Sequence, residues 1–158
     1  MKQFESGAPP SRQGGTGIEA LELRALYEIA QLIGQAVYFD ETMSEVLRVL
    51  HDILRMERAT LMLLEDSGER LAIRASYGLT AEEEKRGGYR LDEGICGKIF
   101  RTRSPFVVPD VHREPLFLNR TRSRDLIRKE QLSFLGVPVI LRQRPMGVLT
   151  VDRLFGHE

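Results

Sequence analysis

The chain holds a single cysteine, no surplus of either charge and no long apolar run, and each absence removes a class of function. One cysteine excludes an internal disulfide framework and suits a reducing compartment. Lysine plus arginine equals aspartate plus glutamate at 23 each, so no global field draws the chain to nucleic acid or to a membrane. No apolar stretch approaches the roughly 20 residues that span a bilayer. The first residues, MKQFESGAPPSRQGG, lack the apolar centre of a signal peptide. The expected location is therefore the cytoplasm. No G-x-x-x-x-G-K-[ST] phosphate loop is present, so these residues carry no ATPase of that type.

What remains is an ordinary globular balance, 42% apolar and 29% charged over 158 residues, which allows one domain or a domain plus a tail. Residues 1–17 are rich in Gly, Pro, Ser and Gln and cannot bury enough apolar surface to offset ordering, so a disordered tail is expected there. From Ile18 the pattern turns helical. Leu26, Ile29, Ile33 and Ala36 recur at helical spacing, with Leu21 and Leu32 widening the stripe. A second helix is expected from Thr42, which with Glu45 reads as a capping box, and its apolar face runs from Met43 to Leu54. Both helices are expected to pack on a sheet.

Strands are expected at Ala59–Leu64 and Leu71–Tyr77 around the Asp66-Ser67-Gly68 turn. Thr80 and Glu83 form a second capping box, opening the charged helix AEEEKR. Then comes the most informative stretch, Tyr89 to Val111: a short strand, a glycine-bracketed turn, a compact helix and a strand ending in Pro-Asp. Asp92 is the expected cap of that helix. Gly94 and Gly97 allow close backbone approach, and Ser104-Pro105 stops the helix before Phe106-Val107-Val108. A long connection, His112 to Gln131, precedes a hairpin of Phe134–Leu141 and Met146–Arg153 around Arg142-Gln143-Arg144-Pro145. The fold class is α+β: a sandwich with a central antiparallel sheet, the N-terminal helix pair on one face and helical connections on the other.

Several segments in order carry a family resemblance: the helix pair, YGL after the second strand, LDEGICGKIFRTRSPFVVPDV, and FLGVPVILRQRPMGVLTVDR. Together they resemble GAF domains, small sensory modules, over residues 18–158. Thr42 to Met56, Phe117-Leu118-Asn119-Arg120 and Arg144 to Leu149 are similar to the N-terminal domain of nitrogen-fixation (nif-specific) enhancer-dependent activators. The resemblance implies a regulatory, non-enzymatic domain whose relatives continue into an AAA+ ATPase and a DNA reader. It also implies a closing C-terminal helix that these residues lack, so a piece of a longer protein is expected, with no nucleic-acid contact of its own.

The resemblance further places the His112–Gln131 connection over a ligand pocket. Between Arg113 and Lys129, the basic residues Arg113, Arg120, Arg122, Arg124, Arg128 and Lys129 stand against only Glu114 and Asp125. Arginine's planar fork suits a carboxylate, and some such activators respond to 2-oxoglutarate. Arg120 or Arg124 is therefore the expected partner of a pocket anion, with Ile95, Cys96, Phe106, Val108 and Leu116 as walls. The bland alternative is a solvated helix face. An anti-activator protein is a second partner that the resemblance implies. Leu26, Ile29, Ile33 and Ala36 also fit the three-four alternation of a dimer seam, although packing on the sheet explains the same residues. Hence the alternative reading is an interaction and dimerisation module without a small ligand.

Other chemistry is thinly supported. Cys96 falls in the first turn of a helix, where the dipole lowers a thiol pKa, yet a buried apolar role explains it as well. Sulfoxide-reducing members of the fold use several cysteines, and bilin attachment needs companion motifs not found here. His51, His112 and His157 are too scattered for zinc or haem. The Asn-Lys-x-x-Phe-x-x-x-Asp-Glu pattern of cyclic-nucleotide binders is absent. No metal or cofactor is expected.

Overall fold

The computed structural model describes residues 16–122 and 131–155. Its elements run α1 (Thr16–Gly34), α2 (Phe39–Leu54), β1 (Arg58–Leu64), β2 (Arg70–Tyr77), α3 (Ala81–Arg86), β3 (Tyr89–Arg90), α4 (Gly94–Thr102), β4 (Phe106–Val108), β5 (Gln131–Leu141) and β6 (Arg144–Phe155). A single 3-10 turn, Val111–Arg113, follows β4. The six strands form one sheet in the order β3-β2-β1-β6-β5-β4, and every pairing is antiparallel. The fold is the α+β sandwich that alternation in the strands implies.

Period-two alternation divides the core between the two faces. On one face Ala59, Leu61 and Ala75 pack with Leu47 of α2. On the other, Met62, Leu71, Val148, Leu132 and Phe134 pack with Ile95, Ile99 and Phe100 of α4. This second cluster has the most buried members, and each Å² of apolar surface it removes from water contributes about 25 cal/mol. Gly97 belongs to its geometry. A Cβ there would stand 2.8 Å from the Leu91 carbonyl oxygen, so only glycine lets α4 lie this close to the preceding turn.

Three expectations are corrected. The helix pair does not rest side by side on the sheet: α2 covers β1 and β2, while Ala25, Ile29 and Leu32 of α1 pack on Val49, Ile53 and Leu54 of α2. Leu26 and Ile33 consequently stay 66% and 55% exposed, and Ala36 lies beyond the end of α1. Thr42 is not a cap. The helix already starts at Phe39, so Thr42 sits one turn inside and donates its hydroxyl hydrogen to the Tyr38 carbonyl at 2.7 Å, while Glu45 pairs with Arg48. Asp92 does not cap α4 either; Glu93 occupies the cap position and Asp92 pairs with Arg90. The Thr80–Glu83 capping box is present in both directions. Of the tail expected over 1–17, Thr16 and Gly17 belong to α1, and residues 1–15 lie outside the described residues.

The last hairpin is longer and tighter than its sequence suggests. Leu141 pairs with Arg144, leaving Arg142-Gln143 as a two-residue turn. Both turn residues are left-handed, with φ of 48° and 67°. Such turns match strand twist but ordinarily take Asn-Gly, and side chains there cost about 1 kcal/mol or more each.

Candidate functional site

The sheet face opposite α2 does not close completely. A cavity of about 30 Å³ remains between the sheet, α4 and the segment after the 3-10 turn. Its floor comes from strands distant in sequence: Thr60 and Met62 of β1, Thr150 of β6, Phe134 of β5 and Ile73 of β2. Thr60 and Thr150 are cross-strand partners, so two buried threonines lie side by side on the floor. Ile95 and Cys96 of α4 form one wall and Tyr89 of β3 another. Phe117, Leu118 and Thr121 make the roof. Neither an arginine nor a lysine is among these lining residues. A water needs about 10–15 Å³ of such space, so the cavity has room for only one or two waters; sites for drug-sized ligands run to about 300 Å³ and more.

Hydrogen bonds from three elements hold the roof. The Tyr89 hydroxyl donates to the Leu118 carbonyl at 3.0 Å. Arg86, at the end of α3, donates twice to the Thr121 carbonyl, at 2.7 and 3.1 Å. Arg120 pairs with Glu93 at 2.7 Å, and Glu93 also accepts from the Arg90 backbone N–H at 2.9 Å. Phe117 meets Phe134 edge to face, 5.4 Å between ring centres. Gly94 has φ +64°, and a Cβ there would stand 3.0 Å from Leu118 Cδ1, so glycine lets the roof settle against α4.

Outside the roof lies an open groove of about 540 Å³, lined by Arg86, Phe117, Leu118, Asn119, Arg120 and Arg122. Phe117 and Leu118 thus separate a neutral interior from a cationic exterior. Nearby, the hydrogen bond from the Arg90 guanidinium holds the Asp92 carboxyl below the usual carboxylate range.

Against these compartments the expected site residues divide. Ile95 and Cys96 line the cavity. Phe106 does not: its ring lies under the Lys98 ammonium, 4.7 Å from the centroid. Val108 is buried beside a separate recess with Asp110 and Arg113. Leu116 is exposed at the edge of the roof. Arg120 reaches the outer groove rather than the cavity, because Glu93 draws its guanidinium outward. Arg124, like Asp125, Arg128, Lys129 and His157, lies outside the described residues. Thr60, Thr150, Tyr89 and Thr121 escaped the reading of the sequence. Alternation in β1 was the available signal, since it sets Thr60 and Met62 on the face opposite Leu61.

Cys96 is 5% exposed, in a wall without a neighbouring cation among the lining residues. His51 stacks on Tyr77 at 4.5 Å, and its Nδ1 lies 2.7 Å from the Met56 carbonyl, a packing role in α2. Among the described residues no group of three or more His, Cys, Asp or Glu side chains is placed to hold a metal. No helix among them is long and apolar enough to cross a membrane.

Residues 39–157 match the model of the GAF domain family. The chain is 45% identical over 133 residues to the Nif-specific regulatory protein of Herbaspirillum seropedicae, covering 84% of this chain and 24% of that protein. It is 34% identical over 136 residues to the nitrogen fixation protein VnfA of Azotobacter vinelandii, covering 85% and 26%. It therefore spans about a quarter of the length of these curated relatives. Among solved structures, the A. aeolicus nlh2 GAF domain in an inactive state superposes with a TM-score of 0.77 at 28% identity, covering 89% of this chain and 83% of that one. A free methionine-R-sulfoxide reductase from Neisseria meningitidis superposes at 0.72 with 19% identity, covering 88% and 77%, a likeness of fold alone.

Proposed function

The chain belongs to the GAF domain family, and on that premise we propose that it is the regulatory, signal-receiving domain of a nif-specific transcriptional activator. In this reading it is not an enzyme, it works in the cytoplasm, and it acts on an AAA+ domain elsewhere in the parent protein. The proposed signal is a 2-oxoglutarate-like anion. The observation that carries it is the cationic groove of Arg86, Arg120 and Arg122 laid directly over the roof of a buried cavity. An anionic effector competes with Glu93 for Arg120, loosens one tether of the roof and gives its apolar portion access to the space beneath. Effector binding then shifts the population between closed and open roofs, and the AAA+ domain senses the difference.

Calorimetric titration of 2-oxoglutarate into this domain, and into a version extended through the closing helix, tests the proposal. Saturable binding is expected. Arg120→Ala combined with Arg124→Ala removes charge-assisted hydrogen bonds and is expected to weaken binding about tenfold to a hundredfold. Glu93→Gln removes the competitor and is expected to tighten it severalfold. Unchanged affinity in the double variant, or no heat from either length of protein, sinks the anion reading.

A second reading, an interaction and dimerisation module with no small ligand, is favoured by the small cavity and by the outward face of α1. Leu26 and Ile33 stand one heptad apart, both more than half exposed, with Ile18 and Tyr27 also exposed on the helix. A homodimer through this face, or an anti-activator protein seated on it, would convey the signal without a metabolite. Leu26→Asp with Ile33→Asp leaves the α1–α2 contact intact and is expected to convert a dimer to a monomer in sedimentation velocity. A wild-type domain that is monomeric at high micromolar concentration removes the homodimer.

A further inference from the structure

One exposed cationic surface plays no part in the reading above. At the tip of the β5–β6 hairpin Arg142 and Arg144 flank Gln143, whose carbonyl accepts a hydrogen bond from Arg103 Nη1 at 3.3 Å. The C-terminal end of α4 is thereby tied to the hairpin, and three guanidinium groups share one edge of the domain. All three residues are exposed. Among the described residues no carboxylate lies within 4.0 Å of any of them. Because β1 pairs with β6, the β1–β2 turn borders this tip with Glu65 and Asp66, which make no such ion pair with it. Interleaved with the cations are Ile140, Leu141 and Met146, each at least 40% exposed. The left-handed turn holds two long side chains, Arg142 and Gln143, where Asn-Gly would relieve the strain.

We propose that this hairpin tip is a docking surface for an acidic polypeptide segment, one that interleaves Glu or Asp with large aliphatic residues. Charge complementarity sets the sign: three arginines without acidic partners favour carboxylates, which their forks bind in pairs. The exposed aliphatic residues between them select a partner that brings apolar groups, which a nucleic-acid backbone lacks. No aromatic side chain stands among residues 140–146 to stack on a base. The domain's own acidic run is already engaged. Glu82 pairs with Lys85, Glu83 closes the α3 capping box and Glu84 accepts from the Ser76 hydroxyl. With that run engaged, the proposed occupant is a segment of a partner polypeptide.

Fluorescence anisotropy with a short labelled peptide alternating Glu and Leu tests this, with its Gln–Leu counterpart and a short DNA duplex as comparators. The Glu–Leu peptide is expected to bind at least about tenfold more tightly than either comparator, and to weaken as salt rises. Arg103→Glu, Arg142→Glu and Arg144→Glu together are expected to weaken it more than about tenfold. Leu141→Ser is expected to weaken it severalfold, while Gln143→Gly, which eases the turn and keeps the arginines, preserves it. Circular dichroism of each variant separates loss of binding from loss of fold, and Arg142→Gln with Arg144→Gln serves if charge reversal unfolds the domain. Equal binding of the Gln–Leu peptide, tighter binding of the duplex, persistence in the reversed variant or no binding by the wild type each overturns the proposal.

Discussion

Replacing Asp152 by alanine is expected to destabilise the domain by about 3 kcal/mol or more, read as a fall in the midpoint of urea unfolding. Asp152 lies on β6, on the same sheet face as Thr150 and Val148, and its side chain is fully buried. Arg58 of β1 is its cross-strand partner, with Nη1 and Oδ2 3.8 Å apart and the arginine side chain 15% exposed. Taking both charges out of water is costly, and their attraction roughly offsets that cost. Removing one partner leaves the cost and deletes the offset. Surface pairs such as Arg24–Glu28 make the contrast: solvent screens them, and deleting one costs about 0.3–0.5 kcal/mol. Asp152→Asn keeps an acceptor for Arg58 and is expected to fall between. A loss below about 1 kcal/mol for Asp152→Ala would mean that Arg58 swings to solvent and the pair contributes little.

Gly147→Ala is expected to cost a similar amount by a steric route. The residue sits in β6 opposite Leu63 of β1, at the centre of the sheet. An added Cβ would overlap the Met62 carbonyl oxygen and stand 2.8 Å from Leu63 Cδ2. Side chains yield to a methyl group by changing rotamer, but a carbonyl fixed in a central strand does not. Overpacking of this kind costs about 1–3 kcal/mol and more where backbone must move, so a drop of roughly 10 °C in thermal midpoint is expected. Gly34→Ala is the control, with nothing within 4 Å of its Cβ, and should change stability by less than about 1 kcal/mol. A tolerated Gly147→Ala would show that β1 and β6 separate easily, against the close register that brings Thr60 to Thr150.

Which parts were legible in the sequence follows from how local their causes are. Thr80 and Glu83 form a reciprocal cap within four residues, and the pattern announced it. The apolar run Phe106–Val108 after Ser104-Pro105 likewise announced β4. Thr42 and Glu45 offered the same pattern and misled. Asp40 and Glu41 extend α2 one turn earlier, and a Ser or Thr inside a helix has the same spacing as one at its start. Tertiary placement was harder. The connection after Val111 does roof the cavity, through Phe117, Leu118 and Thr121, yet alternation gives only the face of Thr60 and not its partner. Thr60 is an ordinary β-branched strand residue until the β1–β6 register sets Thr150 beside it. Arg120 was identified by type and region. Its direction depended on Glu93, a residue on another element whose partner no spacing rule names.

Phe117 and Leu118 are walls of two compartments at once, the neutral cavity beneath them and the cationic groove above. Whatever repositions these side chains for one compartment changes the shape of the other, and the two cannot be set independently. An occupant of the groove that favours one roof position alters the affinity of the cavity by some factor, and an occupant of the cavity alters the groove by the same factor, as reciprocity of binding free energies requires. An anionic ligand outside and a small uncharged one inside would therefore act on each other through this single pair of side chains.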